Sequence, residues 1–176
     1  MLTHAREEGN CQALLKRARH ITLGHGQKLR LAVLADVATQ HLAQLLRVLF
    51  ADQGVDADVY EGGYDAIEVE ALNAASELYT FKPDIVVLLQ SVAKIKTRYY
   101  EFPGERSSFS SSMADHMERI WGAIQASLPV PILQSTFVIP PERPFGNFSL
   151  KVPTSLTRTI LELNREICRR AEQHPS

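Results

Sequence analysis

Leu29-Arg30-Leu31-Ala32-Val33-Leu34-Ala35 and Ile85-Val86-Val87-Leu88-Leu89 decide the fold. Both are short apolar runs closed by polar residues, Asp36 in the first case and Gln90-Ser91 in the second. A strand with one wet face alternates apolar and polar residues, so a nearly continuous run predicts a strand covered on both sides. Such strands belong to parallel sheets, whose crossovers need helices. The spacing supplies them. A helix is predicted from about Ala38 to Gln53, with Leu42, Leu45, Leu46, Leu49 and Phe50 on one face and Gly54 as its stop. Asp56 to Glu61 reads as a second strand ending at Gly62-Gly63, and Asp65 to Asn73 as a helix with an acidic outer face. After the second run, Tyr99 to Ser112 reads as an irregular, mobile surface loop. A helix at Met113 to Ser127 follows, then a fourth strand within Pro129 to Phe137 that starts after Pro131, a Pro-rich loop at Ile139 to Asn147 and a helix at Ser155 to Ala171. Ahead of all this, Glu7 to His20 reads as a short amphipathic helix and Thr22 to Gln27 as a linker. The expected organisation is a helix and linker over 1–27 and one α/β domain over 28–176. Alternation of strands and helices predicts a three-layer α/β/α sandwich with a parallel sheet.

Composition narrows the function class. At 176 residues the chain is long enough to bury a full core. A net charge of -1 gives no electrostatic pull toward nucleic acid or an anionic membrane surface. No run approaches the roughly 18 apolar residues of a membrane span. Met1 to His20 is charged and lacks the apolar segment of a secretory signal. Two cysteines, Cys11 and Cys168, make neither a disulfide framework nor a zinc pattern, and a reducing cytoplasm is the expected setting.

Four segments carry a family resemblance: LAVLADVATQHLAQLLRVLF, GVDADVYEGGYDAIEVEALNAASELYTFKPDIVVLL, ILQSTFVIPPERPFGNF and SLTRTILELN. Within the second, Tyr60-Glu61, Tyr64-Asp65, Ser76-Glu77-Leu78-Tyr79 and Phe81-Lys82-Pro83-Asp84 occur together. Residues 29–164 resemble the N-terminal domain of FkbH-like proteins, in which an SGNH-hydrolase-like domain precedes a phosphatase-type domain of the haloacid dehalogenase (HAD) superfamily. The resemblance implies a flavodoxin-like or SGNH-hydrolase-like sheet and a fifth strand after the last helix, so a fragment of a longer protein is expected. It also implies that the phosphatase-like domain follows in cis and holds any magnesium, with no cofactor in this chain. Characterised family members move a glyceryl unit onto an acyl carrier protein. That makes an acyl carrier protein the expected partner and leaves this domain an accessory, non-catalytic or weakly catalytic role. An esterase or thioesterase with a relocated nucleophile, and a pure protein-interaction module, are the alternatives.

The expected pocket lies at the carboxyl ends of the strands. Gly-Asp-Ser hydrolases put their nucleophilic serine where this chain has Val37, which has no lone pair to attack with. Asp36 reads first as an N-cap for the next helix, although a carboxylate there also suits orienting a ligand or a cation. Thr39 and Gln40 open that helix and could meet an anion, or could simply be first-turn polar residues. Gly62 and Gly63 are either an oxyanion-hole donor or a plain turn. Gln90 stands where an SGNH enzyme has an oxyanion-binding asparagine, and Ser91 is the nearest hydroxyl able to replace the missing nucleophile. Asn147 is the best polar candidate in the Pro-rich loop. A base is harder to find. His174 lacks an acid three residues earlier, His116 reads as a solvated helix face, His25 as linker, and His41 could reach the crevice. No metal site is expected.

Overall fold

The computed structural model describes residues 11–18, 26–142 and 144–174. Four parallel strands form one sheet in the order β2-β1-β3-β4. They are β1 (Gln27–Ala35), β2 (Val55–Glu61), β3 (Ile85–Leu89) and β4 (Ile132–Gln134). The unalternated runs behave as expected. Ala32, Leu34, Val86 and Leu88 face one hydrophobic cluster, while Leu31, Val33, Ile85 and Val87 face another. The second cluster is covered by helix α2 (Gln40–Ala51), through Leu42, Ala43, Leu46 and Phe50. Helix α1 (Cys11–Ala18) packs on α2, and Arg17 reaches Asp52 at 2.5 Å. The other cluster is covered by α3 (Ile67–Leu72), α4 (Glu77–Phe81), α5 (Val92–Glu101), α6 (Phe109–Ser127) and α7 (Leu156–Ala171). This is the expected α/β architecture, a parallel sheet between helical layers. The stretches Glu7–Asn10 and Arg19–His25 of the expected N-terminal helix and linker lie outside the described residues.

Several local expectations are corrected. Tyr99 to Ser112 is not an irregular loop but helical apart from residues 102–105. Ser91 caps α5 by accepting the Lys94 N–H at 3.3 Å, and Ile95 and Tyr99, four residues apart, are 1% and 4% exposed. A 3-10 turn at Arg106–Ser108 leads straight into α6, whose first residue, Phe109, is fully buried. Phe109 packs edge-on against Tyr99 and Phe102, each with ring centres 5.3 Å away. The serine run around it hid the anchor. The fourth strand is only three residues long. After it the chain is held by Asn164 of α7, whose amide both accepts from Phe137 N–H and donates to its carbonyl, each at 2.8 Å.

The helix after β2 buries Ile67 and Ala71, but its acidic residues do not simply face water. Its acidic face was expected outward, yet Val69 and Leu72 are 68% and 60% exposed. Glu70 accepts the Tyr60 hydroxyl at 3.0 Å, and Glu68 turns toward α5 and α6. Burial pushes the Tyr60 phenol well above its usual value, and the Glu70 carboxylate adds to that shift. Ser76 donates to the Glu70 carbonyl at 2.7 Å, Tyr60 stacks on Phe81, and Lys82 closes α4 in a left-handed conformation before Pro83. Asp84 then exchanges two bonds of 2.7 Å with the backbone of Arg30. The second segment therefore works as a brace that seats β3 beside β1.

Candidate functional site at the strand switch point

The order β2-β1-β3-β4 sends the chain one way from β1 to β2 and the other way to β3. The carboxyl ends of β1 and β3 therefore flank the crevice where doubly wound sheets bind ligands. Asp36 and Ser91 meet across it. The Ser91 N–H donates to both Asp36 carboxylate oxygens, at 2.8 and 2.9 Å, and the Ser91 hydroxyl donates to one of them at 3.3 Å. Asp36 is 6% exposed. It is not the cap of α2. Thr39 occupies that position, and neither side chain bonds the helix's first N–H groups. The sequence missed this because the partner of Asp36 lies 55 residues away.

The remaining expected residues separate into those at the crevice and those beyond it. Val37 is exposed beside it. Thr39 is buried and donates to the Glu61 carboxylate at 3.0 Å. Gln40 and His41 are exposed on the first turn of α2. Gly62 donates its N–H to the Val33 carbonyl at 3.0 Å, extending the sheet instead of facing an oxyanion. A Cβ there would come within 2.6 Å of the Leu34 side chain, so the glycine is needed for packing. Gly63 is exposed in the turn that follows. Gln90 lines the crevice, its side-chain carbonyl accepting from Gln134 at 3.4 Å. Asn147 is exposed on a 3-10 turn at Gly146–Phe148 and is not among the residues that line the crevice.

The crevice floor holds charged groups that pattern reading missed. Asp36, Asp65, Ile67, Glu68, Gln90, Lys94 and Arg98 enclose a cavity of about 10 Å³, roughly the space for one water. Lys94 pairs with Asp65, and Arg98 with Glu68 at 2.7 Å. His116 reaches the same Glu68 oxygen at 3.0 Å, and Arg119 contacts the other His116 ring nitrogen at 3.3 Å. His116 is thus a partner in this network, with a side chain 18% exposed, and not a solvated face. Burial pushes its pKa below the usual 6.5, with Arg98 and Arg119 adding to the shift and Glu68 opposing it. Burial alone would raise the Glu68 carboxyl, but the Arg98 hydrogen bond and the His116 charge outweigh it and hold the group below the usual range. His174 bonds Glu118 at 3.0 Å, beside a groove of about 510 Å³ along β4 and α7. A groove of about 730 Å³ runs between α5 and the Pro-rich loop. Among the described residues no group of three or more His, Cys, Asp or Glu is placed to hold a metal ion. No helix among them is long and apolar enough to cross a membrane.

A parallel sheet covered by helices on both faces, with a polar crevice at its switch point, defines a doubly wound α/β domain. Residues 30–176 match the family described as FkbH, N-terminal domain. The chain belongs to that family. A solved structure of the N-terminal part of the protein BF1531 from Bacteroides fragilis, containing a phosphatase domain and complexed with Mg, is similar at a TM-score of 0.81 and 21% identity. The match covers 93% of this chain and 43% of that one, so this chain spans less than half the length of that relative. An acetyl xylan esterase from Geobacillus stearothermophilus, solved as a variant, is similar at a TM-score of 0.52 and 16% identity, over 85% of this chain and 74% of that one. At these identities the likeness is one of fold. No curated protein matches the chain.

Proposed function

We propose that this domain is a non-hydrolytic SGNH-like accessory module. It holds a substrate, or docks an acyl carrier protein, for a HAD phosphatase-like domain that follows in the same protein. The observation that carries the reading is the fate of the crevice hydroxyl. Ser91 gives its proton to a carboxylate and its lone pair to a helix N–H, while Val37 stands at the hydrolase nucleophile position. A serine nucleophile needs a base that takes its proton and a third group that orients the base. Asp36 instead ties the turn after β3 to the end of β1. Magnesium chemistry falls, in this reading, to the phosphatase-like domain, in keeping with the B. fragilis relative's composition. The setting is cytoplasmic, where an exposed free thiol such as Cys168 stays reduced.

Turnover of p-nitrophenyl acetate and of an acyl thioester by the purified chain tests this. Rates at the uncatalysed background, unchanged by Ser91→Ala, are expected. Turnover that Ser91→Ala abolishes would establish the relocated-nucleophile esterase instead.

A further inference from the structure

Lys94 and Arg98 stand one turn apart on α5, and both line the switch-point cavity. Each is neutralised by a carboxylate from the segment after β2, Asp65 on Lys94 and Glu68 on Arg98. The acids are the looser partners, with side chains 44% and 42% exposed against 31% and 27% for the cations. Asp65 holds its place at φ 56, one of two non-glycine residues with positive φ among those described. Glu68 has a second seat, because the oxygen that meets Arg98 also meets His116. It can leave Arg98 and keep a partner. With both pairs made the cavity holds about one water; both cationic side chains and Gln90 line it, and the Asp36 carboxylate beside them is engaged by the Ser91 N–H.

We propose that the crevice is an oxyanion site closed by its own carboxylates, and that a carboxylate or phosphate monoester enters by replacing Asp65 on Lys94 and Glu68 on Arg98. The exchange keeps an anion on Lys94 and Arg98, while the displaced Asp65 turns to solvent and Glu68 keeps His116. It rests on the substrate-holding reading above and names the chemical class held.

The test is an NMR titration of the isotope-labelled chain with sodium phosphate and, separately, sodium acetate, at ionic strength fixed with sodium chloride. Saturable shifts at the amides of Asp65, Gln90 and Lys94 are expected with at least one ion; which ion saturates identifies the source of the oxyanion. Asp65→Asn keeps a residue that tolerates positive φ while removing the competing charge. It is expected to bind the ion about fivefold tighter, the upper range for loss of one exposed ion pair. Lys94→Met is expected to abolish saturation. Equal affinity in Asp65→Asn and the parent, or only the linear shifts that chloride gives, would overturn the exchange without touching the non-hydrolytic reading. Esterase turnover dependent on Ser91 would overturn that reading and leave the titration interpretable.

Discussion

Replacing Asp36 by alanine removes the side-chain tie between the end of β1 and the turn that starts α5. The loss can be worked from the geometry. One N–H bifurcates onto two carboxylate oxygens at 2.8 and 2.9 Å, and one hydroxyl adds a weaker contact at 3.3 Å. Hydrogen bonds to a charged acceptor contribute about 1.5–3 kcal/mol, and the Ser91 N–H is left in a part-buried site without its acceptor. Asp36→Ala should therefore destabilise the domain by about 2–3 kcal/mol, and at roughly 2–4 °C per kcal/mol for a chain of this size lower its Tm by about 5–10 °C. Asp36→Asn keeps one acceptor oxygen and should lose about half as much. Urea unfolding followed by circular dichroism measures both, with an unchanged m-value showing that the denatured state is not altered. Ser91→Ala keeps its N–H, so the double variant should show a coupling of at least about 0.5 kcal/mol. A change within about 0.5 kcal/mol for Asp36→Ala would refute the tie. A rise in stability would mean that the carboxylate is strained for some use other than structure.

Three further outcomes follow from the same coordinates. Phe109→Ala should destabilise by about 3–5 kcal/mol in urea unfolding, because a fully buried ring leaves a cavity between Tyr99 and Phe102; a loop residue would change stability by about 0.5 kcal/mol or less. Gly62→Ala should destabilise by about 1–2 kcal/mol, since the new methyl meets the buried Leu34 side chain at 2.6 Å; an unchanged Tm would show that the turn yields freely. The His116 pKa is depressed in the fold, so its linked stability is full above the usual 6.5 and declines as pH falls through the lower folded value. Thermal melts from pH 7.5 to 5 should show a falling Tm in the parent and a flatter profile in His116→Gln, and parallel profiles would contradict the assignment. Below that window Glu68, also depressed, adds a second loss as pH drops under 4.5.

The sheet was legible because burial on both faces writes itself locally. The runs at 29–35 and 85–89 carry no polar residue that a covered strand must hide except Arg30, whose guanidinium lies over the Phe81 ring at 4.5 Å. Helices α2 and α7 were legible through their apolar faces and, for α7, a Ser155 cap that accepts the Arg158 N–H at 3.2 Å. Helix α5 was not, because Ile95 and Tyr99 are its only buried anchors amid Lys94, Lys96 and Arg98. The acidic residues of α3 were misread for a related reason. Periodicity assumes that carboxylates seek water, whereas Glu68 and Glu70 find Arg98, His116 and Tyr60 from other elements. At the crevice, position was legible and pairing was not. Asp36, Gln90 and Ser91 were placed by strand ends alone, but the partners that define their roles come from contacts spanning 44 and 55 residues. The Lys94–Asp65 and Arg98–Glu68 pairs had no local signature at all.

The central claim is that the switch-point hydroxyl is a structural tie and not a nucleophile. Intact mass of the chain after incubation with a fluorophosphonate probe tests it most directly. The account predicts an unmodified mass for both the parent and Ser91→Ala. A single adduct on the parent, mapped to Ser91 and lost in Ser91→Ala, would contradict it.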